Sequence, residues 1–365
     1  MSFKSTRARV AVAGAGIYGS TIASRLAESS YEVHLFDPLG VMRAASAINQ
    51  YRVHSGYHYP RSAETIDEIL EAREEFVGMF EPAVISSSRH YYAIPHEGSW
   101  TPPERYEEVM AEHGLPLKQC RPEWLDFRYV DRCYEVDEDM YDPDVLRYLV
   151  RRRLQATGVR FEARPYTPGM RRQYDFVVCA TYGLGPSKSH FNIATFQLAE
   201  KILIEVPRQL RHVGLVVVDG PFTAFDPYGS SGRALFGSSK HTNRWSTSDP
   251  DEPIPARFDG LLNGREFRPC AFSNFEAMRA DGSHYVPMLR AARYMGSRFT
   301  LRVVEDRPAD DRRVLSVDEA EPGELHVFSG KVLGAVKAAR LVCERLDSAV
   351  GVSGIGEGTT RLDGG

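Results

Sequence analysis

Residues 10–13, Val10-Ala11-Val12-Ala13, form a short apolar run that passes directly into Gly14-Ala15-Gly16-Ile17-Tyr18-Gly19. Residues 20–27 then carry Ile22, Ala23 and Leu26 at helical spacing, and residues 31–36 read as a second strand ending at Asp37. A strand, glycine turn, helix, strand and terminal acid in about thirty residues permit few folds. In this arrangement Gly14 allows the tight turn, Gly16 lets the backbone approach a pyrophosphate, and Gly19 lets the helix pack closely on the strand. The helix N-terminus offers unpaired N–H groups and a partial positive charge to phosphates. Asp37, 18 residues after Gly19, stands where a carboxylate accepts ribose hydroxyls and disfavours a 2′-phosphate. The unit therefore predicts binding of FAD or NAD rather than NADP.

The remaining pattern predicts an alternation of layers. Residues 62–80 place Ile66, Ile69, Leu70, Phe76, Val77 and Phe80 on one helix face. Asp142-Pro143 starts another helix, with an N-cap and a proline at the first helical position. Residues 174–181 read as a buried parallel strand ending in a turn at Gly183 and Gly185. Between 201 and 239 the signal becomes β-rich, with strands at 202–206, 213–218, 222–225 and 234–237, an antiparallel set in a separate layer. Arg89 to Ile94 reads as a strand whose alternation buries either Tyr91 and Ala93 or Tyr92 and Ile94. A helix is expected at 284–295, a strand at 299–304, and a strand at 325–328 feeding Ser329-Gly330-Lys331 and a last helix through Leu346.

Composition excludes several functions. A chain of 365 residues with net charge −4 has no basic excess to attract nucleic acid or an anionic membrane. The arginines at 151–153, 160, 164, 171 and 172 read as a solvated helix end. No window approaches the ~18 apolar residues of a membrane helix, and the apolar run after the basic N-terminus is too short for a signal peptide. The five cysteines are scattered, with no C-x-x-C pair, so neither a zinc site nor a disulfide framework is expected, and the location is read as cytoplasmic. No Ser-His-Asp order, H-E-x-x-H pattern or metal-binding carboxylate cluster is visible, so the chemistry should belong to a cofactor.

Three segments carry a family resemblance: Asn49 with Val53-His54-Ser55-Gly56-Tyr57-His58-Tyr59, Tyr174 to Thr181, and Val327-Phe328-Ser329-Gly330-Lys331. With the N-terminal motif they resemble the D-amino-acid oxidase-like FAD-dependent oxidoreductases, which include glycine, sarcosine and 2-hydroxyglutarate oxidases. The glycine oxidase and 2-hydroxyglutarate oxidase group is the nearest in motif. The resemblance implies an α/β (overall α+β) chain, in which a Rossmann-like FAD-binding domain of glutathione-reductase type is interleaved with an antiparallel-sheet substrate domain. The FAD domain would comprise 1–84, 141–195 and 311–350, the substrate domain 85–140 and 196–310, and a disordered tail 351–365. Gly14, Gly16, Gly19 and Asp37 would hold the ADP half. Ala45, Ser46, Asn49 and Gln50 would line the pyrophosphate and flavin edge, and Ala180, Thr181 and Gly183 would approach from the neighbouring strand. Gly330 and Lys331 would meet the pyrimidine end of the flavin.

The same resemblance brings His54 to the flavin as a hydrogen-bonding group rather than a covalent tether, and it makes His54 and Lys331 the catalytic candidates. Arg52, Tyr57, His58, Tyr92, Lys240 and Arg268 are the substrate-binding candidates, since a carboxylate substrate calls for arginine with nearby hydroxyl or ring donors. The expected reaction is oxidation of a CH–NH or CH–OH bond of a small amino acid, amine or hydroxy acid, by hydride transfer to flavin N5. Oxygen or another carrier would accept the electrons. The alternatives are a flavin-dependent monooxygenase and a non-catalytic dinucleotide-binding protein.

Overall fold

The Arg9–Ala13 strand, β1, is buried from Val10 onward, as a strand without polar alternation must be when both faces are covered. It leads through α1 (Ile17–Glu28) to β2 (Glu32–Phe36), which runs parallel to it with Val10 opposite Val33 and Ala13 opposite Phe36. This computed structural model describes residues 7–187, 190, 195–305 and 312–356. There follow α2 (Ala44–Ala47), β3 (Arg52–Val53), α3 (Ala63–Phe80), β4 (Val84–Ile85) and β5 (Arg89–Pro95). Next come α4 (Pro103–Glu112), β6 (Lys118–Gln119), β7 (Val130–Val136), β8 (Asp139–Tyr141) and α5 (Pro143–Ala156). The chain continues with β9 (Arg160–Glu162), β10 (Phe176–Cys179), β11 (Thr195–Glu205), β12 (Val213–Val217) and β13 (Thr223–Pro227). Last are β14 (Arg233–Ser238), β15 (Asn243–Thr247), α6 (Phe275–Tyr285), β16 (Arg293–Val304), β17 (Ser316–Glu321), β18 (Glu324–Phe328) and α7 (Ala335–Gly356).

One sheet has the order β17-β18-β10-β1-β2-β9, parallel from β18 to β9 with β17 antiparallel at its edge. Ile22 and Leu26 of α1, Ile66, Ile69 and Phe76 of α3, and Val342 and Leu346 of α7 share one buried cluster with its strands. The second sheet runs β15-β11-β14-β13-β12-β5-β7-β6, and β16 pairs with β11 along the other edge of that strand. It is antiparallel except where β5 and β12 run parallel. These two strands are separated in sequence by a long excursion through the first sheet, which allows the parallel pairing. A small antiparallel sheet, β3-β8-β4, links the segments after α2 and before α5. The fold is mixed α/β, as expected.

Three local expectations change. The helix expected at 284–295 lies earlier, at Phe275–Tyr285; Pro287 has no N–H to continue it, and a short 3-10 turn leads into β16. That strand starts at Arg293 rather than 299 because it pairs with β11 all along its length, from Thr195 opposite Val304 to Glu205 opposite Arg293. The last helix continues past Leu346 to Gly356, so residues 351–356 are helical backbone rather than tail. Residues 357–365 of the expected tail lie outside the described residues. In β5 both tyrosines are buried: Tyr91 joins the core under the second sheet, and Tyr92 joins the core shared with the first.

Asp142 caps α5 as its sequence predicts, Oδ1 accepting from the N–H groups of Asp144 (2.8 Å) and Val145 (3.1 Å). Replacing it with alanine (D142A) is expected to cost about 1 kcal/mol, read as a lower midpoint in chemical denaturation with unchanged flavin content.

Candidate active site

The glycine turn is shaped for close contact. Gly14 has φ +94°, and a Cβ there would lie 2.5 Å from the Ala180 carbonyl oxygen on the neighbouring strand. A Cβ on Gly19 would stand 1.8 Å from the Gly14 carbonyl oxygen, and one on Gly16 2.8 Å from Ser46 Oγ. Asp37 is fixed from both sides: Oδ2 accepts from Ala15 N–H (2.8 Å), Oδ1 from Leu39 (2.7 Å) and Gly40 (3.2 Å). A cavity of about 920 Å³ starts here and runs between the two sheets. Gly14, Gly16, Asp37, Ala45, Ser46, Asn49, Gln50, Ala180, Thr181, Gly330 and Lys331 all line it. Gly19 and Gly183 do not; Gly19 packs behind Gly14, and Gly183 is buried in the turn after Thr181 with φ +69°.

The segment after β2 is strained where it meets the cavity. Met42, Ala44 and Tyr51 all have positive φ (54°, 44° and 59°), which is costly without a glycine and concentrates at functional sites. Asn49 holds this segment in place. Its Oδ1 accepts from Tyr51 N–H (2.7 Å) and Tyr141 OH (2.9 Å), and its amide donates to the Ala45 carbonyl (3.1 Å). Ser46 Oγ accepts from Ile17 N–H at the start of α1 (3.0 Å). At the closing turn Tyr18 OH donates to the Lys331 carbonyl (2.6 Å), while Lys331 Nζ donates to the Arg313 carbonyl and lies 4.9 Å from the Tyr59 ring centre. A cradle that a single Cβ would fill, an acid at the ribose position and a long apolar-walled cavity suit FAD.

The far end of the cavity contains a buried charge network. Arg52 Nη1 donates to Glu138 Oε2 (3.0 Å) and Nη2 to Asp226, with all three side chains almost fully buried. Tyr92 OH donates to Glu138 Oε2 (2.9 Å). Burial pushes the Glu138 pKa upward, but Arg52 and His54 outweigh it and hold the carboxyl below its usual range. Burial likewise opposes the Arg52 charge, and Asp226, Tyr92 and Glu138 reverse the effect, so its pKa is raised. His54 Nδ1 lies 3.2 Å from Glu138 Oε1. An ionised carboxylate only accepts, so the N–H at Nδ1 is the donor of this contact. Arg52, His54, His58, Asp226, Lys201 and Arg302 all line the cavity. Burial, Arg302 and Arg52 bring the Lys201 pKa down to about 7, with Asp226 opposing.

Several expected substrate contacts lie elsewhere. Tyr57 is buried in the core with its OH donating to the Pro116 carbonyl (3.1 Å). Tyr92 acts behind the cavity wall, through Glu138 and Arg52. Lys240 is exposed on the turn after β14 and faces Asp281 (3.4 Å), while Ser238 and Thr242 on either side of that turn line the cavity. Arg268 pairs its backbone with Ser297, leaving its side chain exposed near Glu266. Conversely, Glu138, Asp226, Lys201 and Arg302 escaped the sequence reading. Lys201 and Arg302 had a signal, each being a cation within an apolar strand. Glu138, in the turn between β7 and β8, had none. Cys179, Glu324 and His326 bring their ligand atoms within 4.8 Å across β10 and β18, a proximity that no sequence spacing indicates.

The family model for FAD dependent oxidoreductases (DAO) matches residues 9–251. The chain is 25% identical over 339 residues to FAD-dependent monooxygenase FPY4 of Fusarium mangiferae, covering 88% of this chain and 86% of that one. It is 26% identical over 160 residues to FAD-dependent monooxygenase kojA of Aspergillus flavus, covering 42% and 37%. Its fold is similar to that of glycine oxidase from Geobacillus kaustophilus, with TM-score 0.68, 14% identity, and coverage of 93% and 95%. It is also similar to L-amino acid deaminase from Proteus myxofaciens, with TM-score 0.64, 13% identity, and coverage of 96% and 92%.

Gly19→Ala is expected to lose flavin on gel filtration, because its Cβ cannot clear the Gly14 carbonyl. Gly78→Ala, in α3 with nothing within 4 Å of its Cβ, serves as the control and should keep the cofactor. Flavin absorbance per polypeptide is the measurement.

Proposed function

Since the chain belongs to the DAO family of FAD-dependent oxidoreductases, we propose that it oxidises a CH–NH or CH–OH bond of a small molecule carrying an acidic group, with oxygen as the electron acceptor. The observation that carries this reading is the continuity of one cavity from the Gly14–Asp37 cradle to the Arg52–Glu138–His54 cluster. Asp37 would hold the adenosine ribose and the backbone of the glycine turn the pyrophosphate. Residues 45–50, Thr181 and the backbone at 330–331 would hold the flavin. The bound flavin supplies a hydride acceptor.

The protein's own part is to position and to exclude water. Arg302, on β16, lines the cavity and is positioned there by Gln197, whose Oε1 accepts from Nε (3.1 Å) and Nη2 (2.5 Å), so that its charge would favour an acidic group in the substrate. Arg52 carries its charge in a closed network with Glu138 and Asp226, so its task is to hold His54 and the β3 segment against the second sheet. Lys331 anchors the closing turn. Trp100 at the cavity wall stacks with Arg61 (4.9 Å), whose guanidinium also binds Asp219, giving the mouth an aromatic and charged border. The glycine oxidase and L-amino acid deaminase among the structural neighbours are named for amino acid substrates, which supports the same chemical class. A cytoplasmic setting accords with five free cysteines.

A second reading, a flavin-dependent monooxygenase, is favoured by the names of the fungal relatives. The two separate by electron donor. Under anaerobic conditions, amino acids, N-alkyl glycines or 2-hydroxy acids should bleach the flavin band near ~450 nm directly. Bleaching by NADPH alone, with oxygen incorporated into product, would establish the monooxygenase, and a protein that takes up no FAD would sink both. R302M is expected to raise KM for a carboxylate substrate by about 10- to 100-fold, with a smaller effect on kcat.

A further inference from the structure

Lys201 is 7% exposed and sits on β11 with its side chain at the cavity. Ala199 of the same strand and Thr300 and Arg302 of β16 line that cavity beside it. Arg298, opposite Lys201 in register, turns its guanidinium to the carbonyls of Ala47 (2.8 Å) and Gly264 (2.9 Å). No hydrogen bond or ion pair reaches Lys201 Nζ among the described residues. A buried polar group left in this way is costly for the fold and calls for an explanation.

The charged groups that act on it come from three other strands. Arg302 on β16 and Arg52 on β3 are cationic, and Asp226 on β13 is engaged by Arg52. Two guanidiniums and burial disfavour an ammonium, and the one opposing carboxylate is already paired. Near neutral pH about half of the population is a neutral amine, which offers a lone pair. Glu138 is a poor proton acceptor by comparison, because Arg52 holds its carboxyl below the usual range, and Asp226 is already engaged by the same guanidinium.

We propose that Lys201 is the proton acceptor of the oxidation. Its amine takes the N–H or O–H proton of the substrate, while the adjoining hydrogen leaves carbon with its electron pair for the flavin. The C–H and N–H (or O–H) bonds break, a C=N or C=O bond forms, and Lys201 ends as an ammonium beside a reduced cofactor. The assignment rests on the oxidoreductase reading and serves amine and hydroxy substrates alike. Near-neutral basicity suits the role, since a general base works best with a pKa close to the operating pH.

The test compares the holoenzyme with K201M, K201R and H54Q, each checked for flavin content. In the wild type the anaerobic flavin-reduction rate should rise with pH to a plateau, with its midpoint near 7. K201M should lose this limb and slow by about 100-fold or more. K201R, permanently charged, should match it, and H54Q should keep the limb. A second readout needs no substrate. The unfolded chain keeps the lysine proton up to about 10.5, whereas the folded chain releases it near 7. Raising pH through that window therefore stabilises the wild type but not K201M. K201M should melt above the wild type at pH 7, with the gap closing toward pH 10. A limb that survives in K201M, a limb lost only in H54Q, or a melting gap independent of pH overturns the assignment. Failure of every substrate to reduce wild-type flavin removes the oxidoreductase reading and the assignment together. Reduction with an unaltered pH profile in K201M removes the assignment alone.

Discussion

The Arg52 guanidinium, enclosed between Glu138 and Asp226, is the contact on which the rest of the site depends. It sits on β3, directly after the strained segment that lines the cofactor cavity. Its two carboxylate partners come from the turn before β8 and from β13 of the second sheet. Breaking such a buried pair by removing one partner typically costs about 3–5 kcal/mol, because the remaining charge is left without compensation. One ion-pair network thus locks the segment after α2, the small β3-β8-β4 sheet and the second sheet in a single register. His54 is oriented by the same carboxylate, so the ring facing the cavity is held through its Nδ1 at this joint.

The balance of charge within the cavity follows from that closure. Arg52 is neutralised by its own partners and adds structure rather than affinity. Among the charged groups that line the cavity, Arg302 and Lys201 stand on adjacent strands, one a guanidinium and the other an amine poised between two states. The DAO family supplies the frame, and under the proposed function a guanidinium beside a titrating amine would hold an acid and accept a proton.

The sequence was most legible where backbone geometry leaves few choices. Gly14, Gly16 and Asp37 occupy their places because a tight turn, a close approach and a carboxylate that gathers the N–H groups of Ala15, Leu39 and Gly40 are local demands, and Asp142 caps its helix for a similarly local reason. Legibility fell where a residue's environment is assembled from distant strands. Lys201 reads as an interruption of an apolar strand until Arg302 and Asp226 are seen around it, and Glu138 reads as a turn acid until Arg52 reaches it. Lys240 and Arg268 were attractive as cations near β segments, but the turn after β14 and the edge of β16 direct them to solvent. The helix expected at 284–295 was displaced because long-range pairing with β11 claimed its last residues for a strand.

The interleaving of the two sheets bears on how the chain comes to hold its cofactor. β1 finds its neighbour β10 only after some 165 residues, as the pairing of Val10 with Phe176 records. α1 packs against α7, near the far end of the chain. Contacts separated by so much sequence form late, because a large loop must close before they contribute. The glycine turn leaves the ribosome well before the strand that walls it and the helix that backs it. Its cradle is thus completed only when distant parts of the chain meet, and a cofactor that favours the completed cradle would help to join the two sheets as well as serve as a reagent.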